Sequence, residues 1–132
     1  GLTGRRVPLH GGGAARKSYL HARDLGRAIY LVAEGAPPGQ VYNVGPSEPT
    51  AIRDVARMCA DAVGVAHENL FEEVGERVGQ DACYWLDSSA IRAAVGCEQE
   101  IGWGQGLDEV VAWAQANIDA LRDWSTDYQL RA

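Results

Sequence analysis

Apolar side chains recur at helical spacing in four stretches of the chain. Leu25, Ala28, Ile29 and Val32 fall at i, i+3, i+4 and i+7, so the segment after Asp24 has one apolar face. Asp24 is expected to cap that helix, Gly35 to end it, and Pro37 and Pro38 to prevent its resumption. Ile52, Val55, Ala56, Cys59, Ala60 and Val63 make a second stripe, with Thr50 as the expected cap and Gly64 as the stop. "SAIRAAVG" is expected to be a short helix, capped by Asp87 or Ser88 and closed by Gly96. Leu107, Val110, Val111, Ala114, Ile118 and Leu121 hold one face for about four turns, the longest helix. The tail "STDYQLRA" has no periodicity.

Between these stretches the pattern is that of short strands. "RRVPLH" is extended but demoted to an edge or bend by Pro8, and "KSYLHA" alternates loosely. With Gly11, Gly12 and Gly13 between them, the two predict a hairpin or loose arch. "QVYNVG", bounded by Gly39 and Gly45, predicts a strand buried on at least one face. "NLFEEVGE" and "CYWLD" are expected to be two further short extended runs. The predicted order, β-β-α-β-α-β-β-α-α, is mixed α/β in a single domain over residues 1–132. "VYNVG" lies between two helices and wants a sheet beside it, yet few long strands are available to pair with it. A partner sheet is therefore expected elsewhere, upstream on the same chain or on another subunit.

Charge narrows the partners. Eighteen acidic residues outweigh twelve basic ones, for a net charge of −6, which argues against a nucleic-acid face. No apolar run reaches membrane-spanning length and no signal peptide is evident, so no membrane partner is expected. Cys59, Cys83 and Cys97 are an odd, scattered set that fits a reducing cytoplasm better than a disulfide frame. The first residue is Gly1 rather than Met, which reads as a remnant or as a piece of something longer.

Most candidate chemistry has a simpler explanation. The triple glycine matches neither dinucleotide nor P-loop spacing and reads as a turn. His10, His21 and His67 are too scattered for a metal site, and none is expected. No nucleophile motif appears, Ser88 and Ser89 suit capping, and Asp81 would raise rather than lower the pKa of Cys83. Arg16 and Lys17 are the exception. They stand between a glycine turn and a strand, where a guanidinium fork and an ammonium can reach an anion, although two solvated cations would read the same way.

The order of the motifs adds a resemblance. "VPLHGGG" resembles a Pro-x-aromatic-Gly turn, "RKSYLHARDLGRAI" an Arg-x-aromatic segment leading into a helix, and "GQVYNVG" a Gly-x-x-Tyr-Asn-Ile-Gly strand. "YWLDSSAIRAAVG" followed by "GWGQGLDEVVAW" is similar to the closing Asp-x-Ser-Lys and Gly-Leu-x-x-x-Val-x-Trp elements of the same group. Together they resemble the C-terminal part of the NAD-dependent epimerase/dehydratase family, the extended short-chain dehydrogenases, and most of all its 4,6-dehydratases and nucleotide-sugar epimerases. The resemblance implies a partial Rossmann-type fold that is mostly substrate-binding lobe, with mixed short strands and about four helices. It implies a nucleotide sugar (dTDP-, UDP- or similar) as ligand and NAD as the cofactor of the parent family.

The same resemblance implies what is missing. The N-terminal Rossmann half would hold the glycine fingerprint and a Tyr-x-x-x-Lys pair, and Lys17 is the only lysine in the chain. No catalytic residue, and no NAD bound by this chain alone, is therefore expected. Carried over by position, Pro8 and His10 would line the base. Lys17 would hold the diphosphate, with Arg16 one residue early as a substitute. Tyr84 would close the phosphate site, with Arg77 the cation left nearby. Ala82 and Cys83 stand where the family has arginines, and Ala51 where an Asn often touches the ligand, which weakens the anchoring or changes the substrate. A self-associating, non-catalytic relic of the fold and one half of a split enzyme are the rival expectations. A homo-oligomer, or association with a Rossmann half, follows from either.

Overall fold

The computed structural model describes residues 2–123. In chain order the elements are β1 (Val7–His10), a left-handed glycine turn (Gly11–Gly13), β2 (Arg16–Lys17), α1 (Ala22–Gly35), β3 (Thr50–Ala51) and α2 (Ile52–Ala62). There follow α3 (His67–Leu70), β4 (Phe71–Val74), β5 (Cys83–Tyr84), α4 (Ser89–Val95), α5 (Trp103–Ala116) and α6 (Ile118–Asp123). The mixed α/β class expected from the pattern is what the chain forms. Residues 124–132, which include the tail without periodicity, and Gly1 lie outside the described residues.

Of the hairpin or loose arch expected around the glycines, the chain forms the arch, with β1 and β2 in different sheets. β1 does not turn back on β2; it runs parallel to β4, Val7 opposite Phe71 and His10 opposite Val74. β2 is the middle of a second sheet, antiparallel to β3 and parallel to β5. The cause is the glycine turn. Gly11, Gly12 and Gly13 all have positive φ (55°, 58° and 66°), which glycine adopts without a steric cost. That left-handed coil redirects the chain instead of reversing it. At Gly13 a Cβ would also lie 2.7 Å from the backbone nitrogen of Arg53, so the turn is seated tightly against the start of α2.

The α1 cap also departs from expectation. His21 is the cap residue: its Nδ1 accepts the Arg23 N–H at 3.2 Å. Asp24 sits inside the first turn, buried, and accepts the backbone N–H groups of Glu100 and Ile101 at 3.0–3.3 Å. It is a latch between α1 and the approach to α5. The helix still ends with Gly35 before the two prolines. For α2 the cap residue is Ala51, the last residue of β3, rather than Thr50, and no side chain caps the helix. Before α4, Asp87 receives the Ser89 N–H at 2.9 Å while the Ser88 hydroxyl donates to the Gly45 carbonyl. The hydrogen bonds from the Ser89 N–H and hydroxyl keep the Asp87 carboxyl below its usual range. The longest predicted helix begins four residues earlier, at Trp103, and breaks at Asn117, whose amide donates to the Trp113 carbonyl at 2.8 Å.

"QVYNVG" belongs to neither sheet. Its side chains alternate as a strand's do. Tyr42 and Val44 pack on the core cluster of Ala28, Ile91 and Cys97, whereas Val41 is 88% exposed. The core is thin: Ile91 is the one large side chain fully buried among the described residues. Leu25, Ile29 and Tyr30 of α1 and Val110 and Trp113 of α5 remain exposed. No helix among the described residues is long and apolar enough to cross a membrane.

Candidate functional site

A groove of about 490 Å³ opens where β1, β2 and the loop after β4 meet. Pro8, Leu9 and His10 supply one wall from β1, and Arg77 to Asp81 supply the other. Lys17 and Ile52 complete it. The loop wall is shaped by a turn in which the Gln80 N–H donates to the Arg77 carbonyl at 3.2 Å, with Gly79 at φ +80°.

Strand alternation sorts the two candidate cations. Lys17 is in register with Tyr84 and Thr50, and Arg16 with Cys83 and Ala51, so they leave the sheet on opposite faces. Lys17 enters the groove. Its Nζ donates to the Asp81 carbonyl at 3.2 Å and stands 5.9 Å from the centre of the Tyr84 ring, which holds the ammonium in place without neutralising it. Arg16 turns away, giving Nε and Nη2 to the Pro49 carbonyl at 3.3 and 2.8 Å. Of the sequence-derived residues, the fold brings Pro8, His10, Lys17 and Arg77 to one groove, places Tyr84 beside Lys17, and leaves Arg16 on the other face.

Arg77 and His10 differ in how they are held. Among the described residues no hydrogen bond or ion pair engages the Arg77 guanidinium, so all its donors are available. His10 is fixed: its Nδ1 lies 3.2 Å from the Gly75 carbonyl oxygen. Leu9, Ile52 and the turn at Val78–Gly79 line the groove without having been singled out in the sequence. Ile52 belongs to the α2 stripe, and a turn's place in a wall depends on β1 pairing with β4, which no local pattern encodes. The groove brings together an ammonium, a guanidinium and an imidazole with the apolar side chains of Leu9 and Ile52, and has one acidic residue, Asp81, in its wall.

A dinucleotide cradle needs a strand, a glycine turn and a helix N-terminus in succession. Here the glycine turn leads to β2, and the described residues contain no such unit. They do not fit NAD.

Comparison with known proteins relates the chain, by sequence and by fold, to the extended short-chain dehydrogenases of the NAD-dependent epimerase/dehydratase family. Within that class the similarity is to sugar-nucleotide dehydratases. The dTDP-glucose 4,6-dehydratase of Streptomyces niveus is 32% identical over 116 residues, which is 88% of this chain and 34% of the relative. An Arabidopsis thaliana trifunctional enzyme with UDP-glucose 4,6-dehydratase activity in its name is 30% identical over 116 residues, 88% of this chain and 17% of its own. Among solved structures, DesIV, a dTDP-glucose 4,6-dehydratase from Streptomyces venezuelae with NAD bound, superposes with a TM-score of 0.82 at 28% identity. It covers 90% of this chain and 37% of DesIV. The UDP-glucose 4-epimerase of Thermotoga maritima shares the fold at TM-score 0.79 and 22% identity, over 89% of this chain and 37% of the epimerase. No protein-family model matches the chain. The chain thus spans about a third, or less, of the length of the curated relatives it matches.

Proposed function

We propose that the chain is the nucleotide-sugar-binding, C-terminal part of an NAD-dependent sugar-nucleotide dehydratase or epimerase, and that it is not catalytic by itself. The observation that carries this is the convergence of Lys17 and Arg77 on one groove with Pro8 and His10. Lys17 and Arg77 take the diphosphate, Tyr84 steadies Lys17, and Pro8 and His10 border the base. Two cations meet a ligand bearing about two charges, and each charge-assisted contact contributes roughly 1.5–3 kcal/mol. The family's transient oxidation of a sugar hydroxyl would need a Rossmann half, which would also supply NAD.

The test is calorimetric titration of the chain with UDP. Lys17→Ala and Arg77→Ala should each weaken binding by roughly tenfold or more, from the loss of one such contact. Arg16→Ala should leave it unchanged, since Arg16 lies on the other face. Equal affinity in all three variants and the parent chain overturns the assignment. Turnover of nucleotide sugar by the chain with added NAD would overturn its non-catalytic status.

A second reading rests on a separate observation, the unpaired extended segment at Val41–Val44 with Val41 bare. On that reading the chain is an assembly module, joining a sheet from another polypeptide or from a second copy. The two readings are compatible, because a Rossmann half would bring such a sheet.

A further inference from the structure

Helix α5 carries a hole and a knob on one face. A slot of about 180 Å³ lies between α5 and the segment that leads into α1. Tyr19 and His21 supply one wall, and Trp103, Gly106, Leu107 and Val110 of α5 supply the other. The Tyr19 and Trp103 rings pack together, with centroids 5.3 Å apart. Gly106 keeps the slot open: a Cβ there would stand 3.4 Å from His21 Cδ2 and 3.8 Å from Ile101 Cγ2. Apolar cavities of roughly 150 Å³ take up a benzene ring, so the slot has room for one aromatic group. Trp113 follows on the same face of α5, and it and Val110 are each 56% exposed.

The spacing makes this face complementary to itself. Trp103, Gly106, Leu107 and Val110 stand at i, i+3, i+4 and i+7, the four corners of a hole that receives one side chain of a facing helix. Trp103, Gly106, Val110 and Trp113 also follow in steps of three, four and three, the spacing of a coiled-coil seam. Trp113 lies roughly 10 Å beyond the middle of the hole along the helix. A two-fold axis midway between them, beside Val110, sets two copies of α5 antiparallel. Each Trp113 then lies over the other copy's hole, and the two Val110 side chains meet. Charge permits this contact. Asp108 is about 200° around the helix from Val110 and faces away. Glu109 borders the seam but is paired with Arg23 of its own chain, so two bare carboxylates do not meet at the axis. We infer that α5 is a homodimer surface, with Trp113 as its anchor and the Gly106 slot as the receiving hole. One short helix pair is smaller than the usual interface of about 1,600 Å², so the dimer depends on concentration. The inference is independent of the groove beside β1.

Association through Val41–Val44 is a separate route, so the test uses the chain carrying Val41→Lys and Cys83→Ser, the latter removing an exposed thiol. Sedimentation velocity should show a monomer–dimer equilibrium. Adding Trp113→Lys should weaken it by about thirtyfold or more, the loss of a central aromatic anchor. Oxidation reads the geometry. Val110→Cys should give a disulfide-linked dimer on a non-reducing gel, because the axis brings the two positions together. Leu25→Cys, also exposed but on α1, should stay unlinked. Three results would each overturn the inference: a monomer at every concentration, an equilibrium that Trp113→Lys leaves unchanged with native circular dichroism, and cross-linking no faster at Val110 than at Leu25. The first would leave this face of α5 to a Rossmann half.

Discussion

Asp24 shows how one side chain ties together segments far apart in sequence. It is 3% exposed and its carboxylate takes two backbone N–H groups from the segment before α5. Asp24→Ala strands both amides in a buried site, at about 1–3 kcal/mol each, so a loss of roughly 2–4 kcal/mol is expected from urea unfolding. Asp24→Asn keeps one acceptor oxygen and should lose about half as much. The glycine turn gives a sharper pair. Gly12 and Gly13 have nearly the same φ, but a Cβ on Gly12 meets nothing within 4 Å, while one on Gly13 meets the Arg53 backbone at 2.7 Å and Leu9 at 2.9 Å. Gly12→Ala should cost about 1 kcal/mol, the conformational term alone. Gly13→Ala must add the clash, so its urea midpoint should fall well below that of Gly12→Ala. Equal midpoints would mean that α2 shifts freely. The sequence made Asp24 visible as a helix-start residue and the glycines as a turn. It did not show what each touches, because those partners lie 76 and 77 residues away for Asp24 and on another element for Gly13.

At the scale of elements, the start of α1 is joined to the middle of α5 by charge. The Arg23 guanidinium bonds Glu109 Oε1, Gln105 donates to the same oxygen at 3.1 Å, and His21 Nε2 lies 3.6 Å from Oε2. The Arg23 hydrogen bond first, then that of Gln105, holds the Glu109 carboxyl below its ordinary 4.5. A carboxylate with a depressed folded-state pKa stabilises the fold above its unfolded pKa, and that contribution disappears as pH falls through the folded value. Acid titration should therefore show a loss of stability beginning below about 4.5, of which Glu109→Gln removes a part. The effect is small and salt-sensitive because the pair faces water. An acid profile that is the same in Glu109→Gln and the parent chain would remove Glu109 from the account. Periodicity located these helices within a few residues because a stripe is a local property. It missed the break at Asn117, where a side-chain amide competes for a helix carbonyl while the apolar spacing continues on both sides. It also missed which strands pair. Pro8 did mark β1 as an edge, yet nothing within "VPLH" names Phe71–Val74 as its parallel neighbour. The groove was legible only as far as its residue types, since its two walls meet through that pairing.

For the molecule as a whole, the surface is as informative as the groove. Val41 is 88% exposed, Ile29 and Tyr30 are 62% exposed, and a single large side chain is fully buried among the described residues. A segment with a bare apolar residue and, among the described residues, no strand partner is a template for another strand. Its other face is already anchored, since Tyr42 and Val44 rest on Ala28 and Ile91, so the template is rigid rather than frayed. The chain spans about a third of its sugar-nucleotide dehydratase relatives, which leaves ample structure in them to occupy that edge. On the assembly reading the isolated chain should associate, with itself or with an added Rossmann half, through residues 41–44. Two variants divide the contributions. Val41→Lys places a charge on the bare face, and Asn43→Pro deletes one N–H from the ladder, while both positions point away from the core. Sedimentation velocity should show the parent chain above monomer mass at high concentration and both variants shifted toward monomer, with near-ultraviolet circular dichroism unchanged. A parent chain that stays monomeric, with or without the Rossmann half, would mean that the strand tolerates water on its own. If only Val41→Lys dissociates the assembly, the contact is face to face and the edge is not extended, and a helix, not a strand, covers Val41.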